Sequence, residues 1–311
     1  MTLQDAAYPD RLRNIYDPPV VLYVRGNLPF IDDEAVVAIV GTRDCTPYGI
    51  SAAENTGYAL ARRGLIVTTG LARGVDSAAT RGALRAGGSV IGVIGSGIDV
   101  IYPPENKRLF DDTAGCGAIL SEYPPGTQAI AGHFPARNRI LSGISLGVAV
   151  IEAPKKSGAL ITAARALEQG RDVFALPGNV DAKSCEGSNA LLREGAIPFL
   201  SAEDIIGEYE ELFPDKITAP GQNPDKPEAD RASFIDNSSK VNYIDLDNIL
   251  NSLSGDERTV AAVIGAESLL VDDIMTRSEL SAQQTLAAIT MLEIKGNAVR
   301  GSGGRVSLLR G

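Results

Sequence analysis

The sequence predicts an α/β fold with a doubly wound parallel sheet for its larger part, followed by a small, mainly helical module. Short runs rich in Val and Ile alternate with longer stretches containing Ala, Leu and Arg between residues 36 and 200. Near-continuous apolar strands that alternate with helices indicate a parallel sheet covered on both faces. Many of the 33 glycines fall where a predicted strand turns into a helix, and such turns often bring the backbone close to a ligand. These features are typical of a Rossmann-like sheet.

Residues 1–35 precede this pattern, and we expect them to form a lead-in segment that packs on the edge of the sheet. The Rossmann-like domain is predicted over residues 36–212. Two helices are expected at 50–63 and 158–170, because both stretches are long and rich in Ala and Leu. The predicted strands lie in the apolar runs at 36–40, 65–69, 89–95, 117–122, 147–153 and 171–176.

Residues 213–253 predict an acidic linker, because they are rich in Pro, Asp, Asn and Ser and too poor in apolar residues to form much core. The net charge of −10 is concentrated in this part of the chain. Residues 201–256 carry 4 basic and 13 acidic residues, whereas residues 1–200 carry 19 and 20. A basic groove on the first 200 residues is therefore compatible with the acidic total.

Residues 254–311 predict a winged-helix domain, because three helical stretches are followed by a hairpin. The first two helices are expected within 256–266 and 268–278. Ser281 opens the third, with Gln284 placed for a capping box. Two short strands are expected around the glycine-rich residues 301–304.

Cysteine and histidine counts exclude several kinds of site. The 3 cysteines lie about 70 residues apart, which fits neither a disulfide framework nor a zinc site. His133 is the single histidine, and no nucleophile is spaced to use it, so we expect neither a metal nor a catalytic residue. Neither the G-x-G-x-x-G nor the G-x-x-x-x-G-K-[ST] motif is present, and we expect no cofactor.

Hydropathy predicts a cytoplasmic protein without a membrane partner. No apolar run approaches the roughly 20 residues that span a bilayer. The first residues show no basic segment followed by an apolar stretch, as a signal peptide would.

Two strand-to-helix turns carry the residues expected at an anion site. In residues 37–49 a strand ends just before a helix start, whose free amides favour a phosphate, and an arginine adds a bidentate donor. In residues 68–84 two glycines bracket a second arginine. Asp76 follows that turn, and we expect it to cap the helix. The candidate phosphate-binding residues here are Gly41, Thr42, Arg43, Gly70, Arg73 and Gly74.

Two further helix starts carry cations. In residues 133–143 an aromatic ring precedes paired arginines, which suits a single-stranded nucleic acid because bases stack and phosphates pair with cations. We expect one of these two arginines to be structural, because positions i and i+2 of a helix do not share a face. His133 is also expected to be structural, because no nucleophile is spaced to use it. In residues 152–171 two lysines precede a helix start. The candidates are Phe134 for base stacking, and Arg137, Asn138, Arg139, Lys155, Lys156, Ser157 and Gly158 for phosphate.

Seven segments in a fixed order resemble the DNA-processing protein A family (DprA, also called Smf). They are GTRDCTPYG, TGLARGVDSAATRGAL, GIDVIYPPENKRL, SEYPPGT, FPARNRILSG, SGALITAARALEQGR and ALPGN. The resemblance runs from about residue 8 to residue 206, and the tail from about 254 resembles the winged helix that many members carry.

This resemblance implies a single-stranded DNA-binding protein rather than an enzyme. It also implies a homodimer with an extended Rossmann-like fold that protects incoming DNA and helps to load the RecA recombinase in natural transformation. The candidate residues above would then be groove residues. Thr80 stands where many members have a histidine, so no role of that histidine transfers. About 35 residues before the first predicted strand leave no room for the helical domain that many members carry ahead of the sheet.

An alternative is a Rossmann-like nucleotide phosphoribohydrolase acting on nucleoside monophosphates. Such enzymes carry a P-G-G-x-G-T-x-x-E run, whereas residues 153–164 read APKKSGALITAA, without the glutamate. The predicted third helix of the winged domain offers Gln283, Gln284, Glu293 and Lys295, which is not a basic face. We therefore expect a regulatory or protein-binding role for that domain, or weak duplex contact. The linker is expected to be a solvated tether, or else to compete with DNA for the groove.

Overall fold

The computed structural model describes residues 1–218, 253, 255–264, 269–278, 280–295, 298–300 and 305–308. The chain divides into two compact units, Met1–Glu228 and Ala229–Gly311. Residues 219–252 of the predicted linker lie outside the described residues.

The first unit is built on an eight-stranded sheet. The strand order is β1-β5-β4-β3-β2-β6-β7-β8, and every neighbouring pair is parallel except β1 with β5. The predicted doubly wound sheet is confirmed, and the order reverses between β2 and β6, where open α/β sheets bind ligands at the carboxyl ends of the strands. The strands are β1 Tyr23–Gly26, β2 Val36–Val40, β3 Ile66–Thr69, β4 Val90–Val93, β5 Ala118–Ser121, β6 Gly147–Val150, β7 Asp172–Ala175 and β8 Ile197–Pro198.

Helices cover both faces of this sheet, as the all-apolar strands require. Along β2, Val36, Ala38 and Val40 pack into one apolar cluster with residues of α5 and α6. Val37 and Ile39 point to the other face, into a cluster with residues of α2 and α3, because side chains of a strand alternate between faces. The helices are α1 Asp10–Arg13, α2 Pro47–Arg62, α3 Val75–Arg85, α4 Lys107–Cys116, α5 His133–Gly143, α6 Gly158–Glu168, α7 Glu186–Arg193 and α8 Ala202–Gly207.

The lead-in segment belongs to the core of the first unit. Tyr8 and Leu12 are buried in the cluster beneath α5 and α6, and the Tyr8 hydroxyl donates to the carbonyl of Pro19 at 2.8 Å. Strand β1 extends the sheet itself by pairing antiparallel with β5. The lead-in segment was predicted to pack on the edge of the sheet, and it also supplies an edge strand.

The packed chain continues beyond residue 212, where the linker was predicted to begin. Ile217 is buried, and the amide of Thr218 donates to the carbonyl of Arg63 at 2.9 Å. The buried Arg63 guanidinium also forms ion pairs with Glu203 and Glu210. Residues 213–218 are thereby held against the first unit by the apolar side chains of Phe213 and Ile217 and by Arg63, the residue that follows α2. Composition alone does not indicate this contact.

The described residues of the second unit form three helices and a three-stranded antiparallel sheet of order β10-β11-β9. Its buried cluster includes Val260, Ile274, Ile289 and Val306. The predicted capping box of Ser281 and Gln284 is confirmed. The elements are α9 Asp256–Ile264, β9 Leu269–Leu270, α10 Val271–Ser278, α11 Ala282–Ile294, β10 Ala298–Arg300 and β11 Arg305–Leu308.

Candidate nucleic-acid interface

The loops that follow β2, β3 and β6 place exposed cations at one edge of the sheet. Arg43 follows β2, Arg73 follows β3, and Lys155 and Lys156 follow β6; all four side chains are exposed. Because parallel strands share a direction, these loops meet at the carboxyl ends of the strands. We call these four residues the cationic edge. Three of its members follow the two strands at the reversal, β2 and β6, and Arg73 follows the neighbouring β3. The sequence motifs predicted cations along one edge of the sheet.

Arg43 is the member of the cationic edge that lies against an aromatic ring. Its guanidinium carbon is 4.9 Å from the ring centroid of Phe134, in the first turn of α5. The Phe134 ring is in turn 5.5 Å from that of Tyr102, which follows β4. A guanidinium over a ring is held by the ring quadrupole while its N–H groups stay available at the rim.

A second pair of rings adjoins the first. The rings of Tyr123 and His133 stack with centroids 3.9 Å apart, and His133 Nδ1 lies 3.0 Å from the carbonyl oxygen of Gly95. His133 thus has the structural contacts that were expected of it. Sequence reasoning found only Phe134 of these rings. The missed signal is a repeated Tyr-Pro-Pro after two adjacent strands, at residues 102–104 and 123–125.

The start of α2 is occupied by a carboxylate of the chain itself. The buried Glu152 accepts from the Thr46 amide at 3.0 Å and from the Thr46 hydroxyl at 3.1 Å. Thr46 also caps the helix by accepting from the Gly49 amide. The amide of Thr42 donates to the Glu152 carbonyl at 2.7 Å. Phosphate binding at Gly41 and Thr42 stays a prediction. A phosphate could use the amides of Thr42 and Thr46 only by displacing Glu152.

Asp76 does not cap α3, so the predicted N-cap is wrong. The N-cap position is held by Gly74 at φ 74°, without a side-chain bond. A Cβ at Gly74 would lie 2.4 Å from the Thr42 carbonyl oxygen, so this loop requires glycine. Asp76 lies inside the helix, and its carboxylate accepts from the amides of Gly70 at 3.0 Å and Ala72 at 3.4 Å. Arg73, beside Gly74, is exposed and pairs with Glu105.

Arg137 lies in the interior rather than in a surface groove. Its side chain is buried at 4% relative exposure and donates to the Val93 carbonyl at 2.7 Å. A Cβ at Gly70 would come within 2.1 Å of its Nη1 atom. Burial lowers the Arg137 pKa to about 10, and the nearby Asp76 carboxylate opposes that shift. Asn138 is buried too, and it donates to the Gly158 carbonyl at 3.4 Å.

Arg139 is also engaged inside the protein. Its guanidinium pairs with Glu122 at 2.5 Å and with Asp17 at 2.9 Å, and the hydrogen bond with Glu122 raises its pKa. One of the two arginines was expected to be structural; both have internal partners. DNA contact by Arg137, Asn138 or Arg139 stays a prediction, and their present contacts hold α5 in place.

Lys155, Lys156, Ser157 and Gly158 line a groove of about 630 Å³ along α6. Ser157 is the N-cap of α6, and its hydroxyl accepts from the Ala159 amide at 3.3 Å. The groove continues past Arg165 to Glu168, and these two side chains form an ion pair at 2.6 Å. The positive charge of the groove therefore lies at its Lys155 and Lys156 end, where both side chains are exposed.

The described residues contain no group of three or more side chains that could hold a metal ion. Within the same residues, no helix is both long and apolar enough to cross a membrane.

Comparisons with known proteins agree with this fold. A model of the family described as DNA recombination-mediator protein A matches residues 1–210, and one described as the DprA winged helix domain matches residues 247–304. DNA processing protein DprA of Streptococcus pneumoniae is 45% identical over 209 residues, which cover 67% of this chain and 73% of that protein. Protein Smf of a Synechocystis species is 34% identical over 95% of this chain and 76% of its own length.

Two solved structures are similar in sequence and in fold. The X-ray structure of the Streptococcus pneumoniae protein has a TM-score of 0.64 at 44% identity, covering 67% of this chain and 73% of that one. A structure on the single-stranded DNA binding mode of DNA processing protein A from Helicobacter pylori has a TM-score of 0.61 at 31% identity, covering 70% and 100%. The predicted Rossmann-like sheet and C-terminal winged helix are therefore confirmed, and the chain belongs to the DNA recombination-mediator protein A family.

Proposed function

We propose that this protein binds single-stranded DNA along the carboxyl edge of its large sheet. The contact between Arg43 and Phe134 carries the proposal, because it puts a phosphate-binding cation and a base-stacking ring within 4.9 Å of each other. Lys155 and Lys156 extend the positive charge across the strand reversal. The Helicobacter pylori relative, described for its single-stranded DNA binding mode, supports this assignment.

The chemistry of this edge favours a sequence-tolerant mode of binding. Exposed cations pair with phosphates of any sequence, and every base offers a π-face to a ring. Binding should therefore weaken steeply with salt, since phosphate neutralisation releases condensed counterions.

The direct test compares a labelled oligo-dT with a matched duplex by fluorescence anisotropy, each titrated with the full chain at low salt. We expect the single strand to bind more tightly, because the rings of Phe134 and Tyr102 need unpaired bases. Equal binding of both, or no binding of the oligo-dT, contradicts the proposal.

We propose further that the protein acts as a homodimer and helps to load the RecA recombinase onto the bound strand during natural transformation. The description of its family as a recombination mediator supports this role. Filament growth by RecA on single strands coated with single-strand-binding protein should be faster when the protein is added. Unchanged filament growth would count against the loading role but not against DNA binding.

We also propose that the protein works by binding rather than by catalysis. The stretch from Ala153 to Ala164 lacks the glutamate of the phosphoribohydrolase motif. The described residues also contain no group of three or more side chains that could hold a metal ion. Release of free base from a nucleoside monophosphate, followed by chromatography, would contradict this assignment.

A further inference from the structure

A buried acid lies in the middle of the proposed phosphate-binding edge. Asp76 has 7% relative exposure and interacts electrostatically with Arg137 and Arg43. A carboxylate so close to bound phosphate should weaken DNA binding by repulsion. Its contacts with the loop of residues 70–74 suggest a different effect.

The Asp76 carboxylate holds this loop in a demanding conformation. It accepts from the amides of Gly70 and Ala72, on either side of Leu71. Leu71 has φ 51°, a left-handed backbone that a branched side chain adopts only when its surroundings impose it. The two hydrogen bonds that the Asp76 carboxylate accepts supply that constraint.

The loop in turn supports the backbone of Arg43. The amide of Val75 donates to the Thr42 carbonyl at 3.2 Å. A Cβ on Gly74 would lie 2.6 Å from the Arg43 carbonyl oxygen. The backbone of the loop of residues 70–74 therefore packs directly against the backbone of Arg43.

Arg137 connects the same loop to the ring that faces Arg43. Its guanidinium packs against Gly70 and bonds the end of β4 through the Val93 carbonyl. Phe134 lies one turn earlier on α5, the helix that carries Arg137. Asp76 also compensates the buried charge of Arg137, since it favours the charged form of that guanidinium.

We propose that Asp76 and Arg137 are positioning residues of the single-stranded DNA site, which keep the Arg43 guanidinium over the Phe134 ring. This inference rests on the proposed function. It gives an acidic residue in a DNA site a favourable effect on affinity, which charge alone would not predict.

The test compares two acids that are replaced in the same way. Asp76→Asn keeps the size of the side chain but leaves Arg137 uncompensated, so we expect oligo-dT affinity to fall on the order of tenfold. Asp44→Asn removes an exposed acid next to Arg43, and we expect it to tighten binding slightly. Tighter binding by Asp76→Asn would overturn the proposal.

Two further readouts separate positioning from a general loss of structure. If Asp76 acts through Arg43, the slope of log affinity against log salt should fall by about one in Asp76→Asn, as in Arg43→Ala. In the Arg43→Ala background, Asp76→Asn should lower affinity by a smaller factor than it does in the wild-type chain, because only the placement of Phe134 is then left to lose. Additive losses, or an unchanged salt slope, would contradict the proposal.

If Asp76→Asn does not fold, Arg137→Lys replaces it, because lysine keeps the charge and loses the fork that reaches Val93 and Gly70. The same loss of affinity and the same reduced salt slope are expected, with circular dichroism verifying the fold at the assay temperature. If the wild-type chain fails to bind oligo-dT, the proposed function itself fails. If the wild type binds and Arg43→Ala weakens it while Arg137→Lys does not, only the positioning role fails.

Discussion

Arg43 and Arg137 lie at the same edge of the sheet, but burial gives their guanidinium groups different partners. The exposed Arg43 lies over a ring and leaves donors at the surface. The buried Arg137 donates to a strand carbonyl, and its pKa is lowered to about 10. Solvent access thus divides these two arginines into an exposed one, which we propose binds DNA, and a buried one with a supporting role.

Phe134 should contribute to binding through base stacking. Phe134→Leu keeps an apolar side chain but loses the flat ring, so we expect oligo-dT affinity to fall about fivefold or more, given roughly 1–3 kcal/mol per stacked base. With an abasic oligonucleotide of the same length, wild type and variant should bind alike. An equal loss on both strands would mean that the ring acts only by holding Arg43.

Tyr8 gives a pH dependence of stability with a definite sign. Burial raises the pKa of its hydroxyl from 10.0 to about 12. The unfolded chain therefore loses this proton first, and the Tyr8 contribution is complete below pH 10 and disappears as the pH approaches 12. Urea unfolding should show a smaller decrease in stability across this window for Tyr8→Phe than for wild type. Parallel pH profiles would contradict the assignment.

The sequence predicted which residue types lie at the carboxyl edge of the large sheet. It did not predict which of those side chains are buried. Glycines and cations after each strand indicated an anion site, and the structure places Arg43, Lys155 and Lys156 at the surface accordingly. Arg137 and Arg139 belong to the same pattern, yet each found an internal partner far away in sequence, such as Val93 or Asp17. Only the fold shows which cations remain exposed.

At the scale of the elements, α2 and α3 pack unusually closely through glycine. A Cβ at Gly57 of α2 would lie 2.2 Å from the Ala79 carbonyl oxygen of α3, and one at Gly82 would lie 2.0 Å from the Glu54 carbonyl oxygen. Both contacts are with backbone, which cannot move aside as a flexible side chain can. The close approach fixes the helix that begins after Arg43 against the helix that carries Asp76.

This contact predicts opposite effects for two glycine substitutions in helices. Alanine is favoured over glycine in a helix by about 1 kcal/mol, so Gly115→Ala in α4, where a Cβ meets nothing within 4 Å, should raise the unfolding free energy. Gly57→Ala should lower it by about 1–3 kcal/mol through overpacking. Urea unfolding of both variants provides the measurement. A higher unfolding free energy for Gly57→Ala would contradict this prediction, because it would mean that α2 and α3 can move apart without loss of stability.

The elements themselves were predicted well where their pattern was local. The apolar runs of β2 to β7 and the capping box of α11 correspond to observed elements within a few residues. Strands β1 and β9 were missed as sheet members because both are short and gain their place by pairing with distant strands. The carboxylate at the start of α2 was missed for the same reason, since Glu152 lies 106 residues from Thr46.

At the scale of the whole molecule, the negative net charge of the chain coexists with a local cationic surface. The 13 acidic residues of 201–256 account for most of the net charge, while the cationic edge lies in the first 200 residues. Affinity for DNA depends on the field near the site rather than on the sum over the chain. A chain with net charge −10 is therefore compatible with DNA binding.

The salt dependence of oligo-dT binding tests the account most directly. The matched control is Arg85, whose guanidinium lies 5.0 Å from the Tyr58 ring, much as Arg43 lies over Phe134. Arg85 ends α3, however, and a crossover helix ends at the amino edge of the sheet, opposite the site. Each arginine is replaced by alanine in the full chain, and anisotropy is measured across a salt series.

The account predicts that Arg43→Ala lowers affinity and reduces the slope of log affinity against log salt by about one. Arg85→Ala should bind as the wild type does. An unchanged slope in Arg43→Ala, or equal losses in both variants, would contradict the placement of single-stranded DNA at the carboxyl edge of the sheet.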